Sequence, residues 1–147
     1  ADLETVLNIN PVAPVLLTQK LLKKKKIVKG GSIVFISSVA GVSSAIVGNA
    51  MYSASKGAVS SFVRVAALEL APKNIRVNAV CPGRIDTGLL EAGTITGEQL
   101  RADMEKYPMK RYGRPEEVAY AVVFLLSGAS FFMTGIGMVL DGGFTLQ

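Results

Sequence analysis

A tyrosine and a lysine lie four residues apart in the segment Tyr52-Ser-Ala-Ser-Lys56. If this segment is helical, both side chains emerge on one face of the helix, about one turn apart. A phenol with a reference pKa of about 10 exchanges protons poorly at neutral pH, but a nearby lysine cation favours the phenolate and lowers that pKa. The pair is therefore a candidate for proton transfer to or from a substrate oxygen.

Two further polar residues could complete such a site. Ser38 follows a short apolar segment typical of a buried strand, so its hydroxyl is expected at the carboxyl end of that strand, where parallel sheets bind ligands. Asn10 lies where Pro11 and Pro14 interrupt a helical pattern. Pro11 removes the backbone donor that would bond Leu7, so we expect the helix to bend or restart there. Ser38 could hold the reacting oxygen, and Asn10 could belong to a polar relay to solvent.

The elements that must position these residues alternate between helices and strands. Apolar periodicity predicts helices over 2–26, 51–71 and 115–126, a weakly helical segment over 94–107, and buried strands over 32–36, 75–80 and 136–140. This alternation implies right-handed crossovers, and the predicted fold class is α/β with a doubly wound parallel sheet. Three strands are few for such a sheet, and no strand with a glycine-rich turn opens the chain. We therefore interpret residues 1–147 as a single partial domain whose N-terminal dinucleotide-binding strands are missing.

Composition excludes several classes of protein. The 147 residues include no histidine and one cysteine, Cys81. Without histidine the usual base of a Ser-His-Asp triad and the commonest metal ligand are absent, and one cysteine can form neither an internal disulfide nor a thiolate cluster, so we expect no metal site. We interpret Cys81 as a small buried side chain rather than a reactive thiol. Because no apolar run reaches the roughly 18 to 20 residues that cross a bilayer and no signal-type segment opens the chain, a cytoplasmic protein without membrane contact is predicted.

The formal charge of +5 depends largely on one run of lysines, Lys23 to Lys26 with Lys29 close behind. Lysines near the end of a helix interact favourably with the negative end of its macrodipole, so this run needs no partner to explain it. An anionic partner such as nucleic acid or an acidic carrier protein is the alternative. No aromatic residues alternate with the run and no basic stripe extends it, so nucleic-acid binding is not expected.

The order of these motifs resembles the short-chain dehydrogenase/reductase family over essentially the whole chain, and its 3-oxoacyl-carrier-protein-reductase-like branch most. The matching segments are Asn10, Ser37-Ser38-Val39-Ala40-Gly41, Tyr52 to Lys56, Asn74 to Gly83, Arg111 to Ala119 and Thr134 to Gly143. The resemblance implies that Tyr52 is the general acid in carbonyl reduction and that Ser38, rather than Ser37, orients the carbonyl. It also implies that Lys56 lowers the pKa of the tyrosine and binds the nicotinamide ribose, and that Asn10 holds a water of the proton relay.

The resemblance also implies a cofactor, which is NAD or NADP. Tyr52, Lys56, Pro82, Gly83, Ile85 and Thr87 would contact it, with Thr87 the best candidate for a phosphate hydrogen bond. In the family a first strand and a glycine-rich turn of a Rossmann-like sheet bind the pyrophosphate, and nothing in this sequence matches them, so the preferred nucleotide cannot be read. Residues 88–107 are expected to form a lid over the substrate.

Two hypotheses for function follow from this resemblance. The first is an oxidoreductase that transfers a hydride between NAD(P)(H) and a small-molecule carbonyl or secondary alcohol, in the complete protein. The spacing of four between Tyr52 and Lys56 favours this reaction over the enoyl-reductase branch, which spaces the pair more widely. A 3-oxoacyl thioester, a steroid-like ketone and a sugar alcohol are all compatible substrates. The second is that this chain is an inactive fragment that self-associates, since the helices matching 2–26 and 51–71 commonly pack between subunits of dimers or tetramers.

Overall fold

Three parallel strands form the centre of the fold in the part of the chain that the structure describes. They are β1 (Ser32–Ile36), β2 (Arg76–Pro82) and β3 (Gly137–Leu140), and they pair in the order β1-β2-β3. The computed structural model describes residues 2–87 and 96–146. All three strands fall where the apolar segments predict them.

Five α-helices accompany the sheet in the described part of the chain. They are α1 (Leu3–Leu7), α2 (Ala13–Lys23), α3 (Ala50–Leu70), α4 (Gly97–Met104) and α5 (Pro115–Leu126). Helix α5 begins at a proline, whose fixed φ suits the first helical position, and the Glu117 carboxylate accepts a hydrogen bond from the Arg114 backbone N–H at 2.7 Å. Among the described helices, none combines the length and the apolar character that a bilayer crossing requires.

Helices cover both faces of the sheet. On one face, Val77, Ala79 and Cys81 of β2 pack with Val59 and Val63 of α3 in a buried apolar cluster. On the other face, Val80 packs with Ala121 and Leu125 of α5 in a second cluster. Since successive strand residues point to opposite faces, this alternation along β2 buries the strand completely. The arrangement confirms the predicted fold class, an α/β fold with helices on both sides of a parallel sheet.

Strand β1 is less buried than the sequence predicts. Its apolar residues are typical of a strand covered on both faces, yet Phe35 is its one buried residue and Ile36 is 45% exposed. Among the described residues β1 pairs with β2 alone, so its other edge borders a groove. A run of apolar residues indicates burial but does not show which neighbour provides it.

The opening helix is interrupted as its prolines predict. A π-helical turn, Asn8–Val12, separates α1 from α2, and Pro11 lies inside it. The Ala13 backbone N–H bonds the Asn8 carbonyl, five residues back, because the ring at position 11 breaks the ordinary four-residue pattern. Asn10 lies within this turn, and its side chain bonds Ser55 of α3.

Two buried polar residues of β2 hold the segment before β3. The Asn78 amide donates to the Met133 carbonyl at 2.9 Å and accepts from the Ile136 N–H at 3.2 Å. The Arg76 guanidinium donates to the Ser130 hydroxyl at 2.9 Å and to the Ser127 carbonyl at 3.1 Å. These bonds satisfy polar groups that would otherwise be unpaired in the interior, and they fix the entry into β3.

Candidate active site

The carboxyl ends of β1 and β2 and the first turn of α3 meet around one cavity of about 650 Å³. Ser38 follows β1, Tyr52 is the third residue of α3, and Gly83 follows β2; all three line the cavity. Ligands of open α/β sheets bind at this end of the strands. The structure therefore brings together a serine, a tyrosine and a glycine that the sequence separates by up to 45 residues.

The two serines after β1 have different environments. The Ser38 hydroxyl accepts a hydrogen bond from the Ala40 N–H at 3.2 Å, capping a short 3-10 turn (Val39–Gly41), and a hydroxyl that accepts one bond can still donate another. The Ser37 hydroxyl is buried against α3, where it donates to the Lys56 carbonyl at 2.9 Å and lies 2.7 Å from the Ser60 hydroxyl. This geometry supports the choice of Ser38 and gives Ser37 a structural role.

Lys56 lies one helical turn after Tyr52. Its Nζ is 5.6 Å from the centroid of the Tyr52 ring, within the range of a cation–π interaction, and it donates to the Ile36 carbonyl at 3.0 Å. Burial lowers the pKa of the Lys56 ammonium, because desolvation disfavours its charged form. Together with Asn10, Lys56 lines a second cavity of about 420 Å³ beside β1, so its ammonium lies between this groove and the tyrosine.

Asn10 is tied to the helix that carries the tyrosine. Its Nδ2 donates to the Ser55 hydroxyl at 2.9 Å, and this hydroxyl donates to the Tyr52 carbonyl at 2.7 Å. Ser55 is fully buried. Pro14 has no N–H to donate to the Asn10 backbone carbonyl four residues earlier, so the α-helical partner of that carbonyl is absent. No motif in the sequence marks Ser55, and the one available signal is its position one turn after Tyr52 on the side of α3 that faces the proline-interrupted helix.

A glycine sets the distance between the serine turn and the lysine helix. A Cβ added at Gly41 would lie 2.5 Å from the Lys56 carbonyl carbon and 2.6 Å from the Gly57 nitrogen. Both are backbone atoms, so no side-chain rotation would relieve the contact. The turn after Ser38 can pack this closely against α3 because residue 41 has no side chain.

Residues 83–85 follow β2 and include two predicted cofactor contacts, Gly83 and Ile85. Contacts with later parts of the chain hold them in place. Gly83 donates its N–H to the Leu140 carbonyl at 2.9 Å, and a Cβ there would meet the Asp141 side chain at 2.9 Å. Ile85 forms an isolated parallel bridge with Gly113. Backbone contacts with two later parts of the chain thus fix this segment beside the cavity.

The predicted cofactor contacts differ in their exposure. Gly83 lines the cavity, Pro82 ends β2 in the buried interior, Ile85 is partly buried and Thr87 is exposed. Residues 88–95 of the predicted lid lie outside the described residues. The described remainder of the lid is mostly α4, whose start is capped by the Thr96 hydroxyl, which accepts from the Gln99 N–H at 3.3 Å.

A charged cluster joins the predicted lid to the segment after β2. The Asp103 carboxylate accepts hydrogen bonds from Arg84 at 2.9 Å, Lys106 at 3.0 Å and the Tyr112 hydroxyl at 2.8 Å. Burial alone would raise the pKa of Asp103, but these three bonds outweigh it and lower the pKa. Burial and the bond to Asp103 raise the pKa of Tyr112 to about 12. No spacing in the sequence indicates this cluster, because its members lie on three separate segments.

Cys81 is fully buried in the apolar cluster against α3. Burial raises the pKa of its thiol, which keeps it protonated, while a hydrogen bond with Ser37 acts in the opposite direction. These features support the interpretation of Cys81 as a packed side chain.

The chain matches known proteins both in sequence and in structure. A family profile described as "Enoyl-(Acyl carrier protein) reductase" matches residues 1–145. The crystal structure of a short chain dehydrogenase family protein from Francisella tularensis superposes with a TM-score of 0.88 at 33% identity, over 100% of this chain and 64% of that chain. The chain belongs to the short-chain dehydrogenase/reductase family. This membership confirms the resemblance that the order of the sequence motifs indicates.

Other members of the short-chain dehydrogenase/reductase family match over nearly the whole chain. The 3-oxoacyl-[acyl-carrier-protein] reductase FabG of Aquifex aeolicus is 39% identical over 142 residues, which are 97% of this chain and 56% of the relative. An uncharacterized oxidoreductase of Bacillus subtilis, YmfI, is 38% identical over 97% of this chain and 58% of its own length. A structure of 4-hydroxyisoleucine dehydrogenase complexed with NADH has a TM-score of 0.89 at 32% identity, over 99% of this chain and 60% of that chain. The chain thus spans less than two thirds of the length of the relatives it matches.

Proposed function

We propose that this chain carries the proton-transfer part of a nicotinamide-dependent dehydrogenase/reductase that interconverts a ketone and a secondary alcohol. The observation that supports it most is the shared cavity of Ser38, Tyr52 and Gly83, with Lys56 one turn from Tyr52. Because the chain covers little more than half of its relatives, the reaction is proposed for the extended protein, meaning this chain together with an upstream strand and glycine-rich turn.

In the reducing direction Tyr52 gives its phenolic proton to the carbonyl oxygen of the substrate. Ser38 donates a hydrogen bond to the same oxygen and stabilises the charge that develops there. The Lys56 cation stabilises the phenolate that remains. In the oxidising direction the same groups act in reverse, and Tyr52 accepts the proton of the alcohol.

A proton must return to Tyr52 from solvent after each reduction. Asn10 and Ser55 form a polar connection between the proline-interrupted helix and the backbone at Tyr52. The Asn10 carbonyl, which lacks an N–H donor at Pro14, is a suitable acceptor for a water beside Lys56. We assign the Asn10 carbonyl, this water and Lys56 to the proton relay, and the bonds through Ser55 to holding Asn10 against α3.

The cavity can accommodate the nicotinamide half of NAD or NADP. It is large enough for a ring and a small substrate, and Gly83 lines its wall. Nicotinamide supplies the hydride when bound. Lys56 would hold the ribose, Gly83 and Ile85 would contact the ring, and Thr87 would donate to a phosphate. Solved relatives are described with NADH and with NADPH, so either nucleotide is compatible.

Enoyl reduction is the competing chemistry, since the matching profile carries that description. The four-residue spacing of Tyr52 and Lys56 favours the carbonyl reaction. An assay that follows nicotinamide oxidation with a 3-oxoacyl thioester and with the matched 2-enoyl thioester separates the two. If the protein turned over only the 2-enoyl thioester, enoyl reduction would replace ketone reduction as the proposed reaction.

Binding of nicotinamide cofactor is expected only in the extended protein. The reason is that the pyrophosphate-binding strand and glycine-rich turn of the family have no counterpart in this sequence. Calorimetric titration of this chain and of the extended protein with NADH and NADPH measures the difference, and the preferred nucleotide settles the choice of cofactor. Equally tight binding by the shorter chain would contradict this prediction.

A cytoplasmic location stays a prediction.

A self-associating role for the chain alone has separate support. Leu16 and Leu17 of α2 and Val65 and Leu68 of α3 are each more than half exposed, which is costly for large apolar side chains in water. Size-exclusion chromatography with light scattering is expected to show a dimer or tetramer. Leu68→Lys is expected to shift the measured mass towards that of a monomer. A monomer before any substitution would count against self-association.

A further inference from the structure

The cavity beside Tyr52 has an uneven charge. Of the described residues that line it, three are charged: Arg84, Lys106 and Asp103. The other described lining residues are neutral. Among these three residues, two positive charges stand against one negative charge, and the low-dielectric walls of a partly enclosed space strengthen the attraction of a cation for an anion.

Arg84 is held in a conformation that suits binding of an oxyanion. One of its five N–H donors bonds Asp103, and the guanidinium lies 5.4 Å from the centroid of the Tyr112 ring. Its side chain is 34% exposed. The cation–π contact and the ion pair restrict the planar group, so little freedom is lost when its remaining donors bind a carboxylate.

Asp103 does not cancel both cations. It accepts one bond from Arg84 and one from Lys106, and the Tyr112 hydroxyl donates to the same oxygen as Arg84. Hydrogen bonds lower the pKa of Asp103 despite its burial, so its carboxylate is ionised at neutral pH and supplies one negative charge beside the two cations. Asp103 thereby positions both cations without neutralising the site.

We propose that the substrate carries an oxyanion, such as a carboxylate, which Arg84 binds directly while Lys106 adds electrostatic attraction. This inference rests on the function proposed above. The ketone and the oxyanion of one molecule then share the cavity, with the ketone at Ser38 and Tyr52 and the oxyanion at Arg84. The substrate class is an oxo acid or hydroxy acid rather than a neutral ketone.

The test compares oxo acids with their methyl esters in the extended protein. A series from 3-oxobutanoate to 5-oxohexanoate, each paired with its ester, varies the distance between ketone and charge. At one chain length the acid is expected to have a higher kcat/KM than its ester. Arg84→Gln is expected to lower this acid-to-ester ratio of kcat/KM by about 10- to 100-fold, because a hydrogen bond to a charged group contributes about that factor. The exposed Lys106 contributes less, so Lys106→Gln is expected to lower the ratio about 2- to 5-fold.

Two further variants keep the result interpretable. Asp103→Asn removes the negative charge and retains an oxygen acceptor, so it is expected to raise the acid-to-ester ratio. Arg64→Gln is the matched control, because Arg64 is an exposed arginine of α3 whose guanidinium bonds Ser61. An unchanged ratio in Arg84→Gln at every chain length, or a ratio that Asp103→Asn lowers, would overturn the proposal.

Direct binding separates this proposal from the proposed function. Calorimetry with the preferred acid, in the absence of cofactor, is expected to show weaker binding to Arg84→Gln than to Arg64→Gln. Equal binding by these two variants would overturn the oxyanion site. Ester turnover that depends on Tyr52 but shows no preference for any acid would overturn the oxyanion site alone, whereas acid binding without turnover of either compound would overturn the proposed function alone.

Discussion

Tyr52→Phe is expected to lower kcat for ketone reduction by about 10²- to 10⁴-fold in the extended protein, which is the usual contribution of a positioned general acid. The substitution removes the phenolic oxygen and retains the ring beside Lys56, so packing at the start of α3 is preserved. Cofactor affinity is therefore expected to change little. Steady-state kinetics and a cofactor titration of the same preparation measure the two effects.

The matched control for this substitution is Tyr120→Phe. Tyr120 is 71% exposed on α5, on the opposite side of the sheet from α3, so loss of its hydroxyl should leave kcat unchanged. Full turnover in Tyr52→Phe would remove Tyr52 from the mechanism and the proposed function with it. A loss of both turnover and cofactor binding would show that the phenol acts through the fold instead.

Gly41→Ala is expected to reduce kcat by about 10²-fold, although residue 41 donates no group to the reaction. The new methyl group would lie 2.5 Å from the carbonyl carbon of Lys56, so the turn that carries Ser38 and the helix that carries Lys56 must move apart. Displacements of about 1 Å at reacting groups cost rates of this size. Overpacking is also expected to lower the free energy of unfolding by about 1–3 kcal/mol.

Gly57→Ala tests the same contact from its other side. A Cβ at Gly57 would lie 3.4 Å from the Gly41 carbonyl oxygen, which is an ordinary contact, and alanine is the better helix former. This variant is expected to raise the free energy of unfolding by about 0.5–1 kcal/mol and to keep full activity. Thermal unfolding and kinetics of both variants measure the difference, and equal behaviour would show that the close approach at Gly41 is not what positions Lys56.

Local patterns were enough to predict the elements and the motif. Some patterns act within a few residues, so their effects can be predicted from the sequence. They are the proline at the start of α5, the apolar residues of β2 and the prolines around Asn10. The same reasoning predicted Tyr52 and Lys56 one turn apart on a single helix, and the structure places them there.

Other features of the site depend on contacts between distant segments. Ser55 bonds Asn10 across 45 residues, and Arg84 bonds Asp103 across 19. Neither contact has a spacing that a periodic pattern could indicate. The partial exposure of β1 also escaped prediction, because an apolar strand does not specify its neighbour.

Sequence patterns are sufficient to predict the class of fold, the order of its elements and the pairing of a phenol with an ammonium on one helix. Each of these follows from hydrogen bonding and side-chain direction within a few residues. Only the folded structure shows how closely Gly41 approaches Lys56, that Ser55 bonds Asn10 and that Arg84 and Lys106 line the cavity beside Asp103. These features depend on how strands and helices pack, and packing brings together residues whose separation in the chain carries no signal.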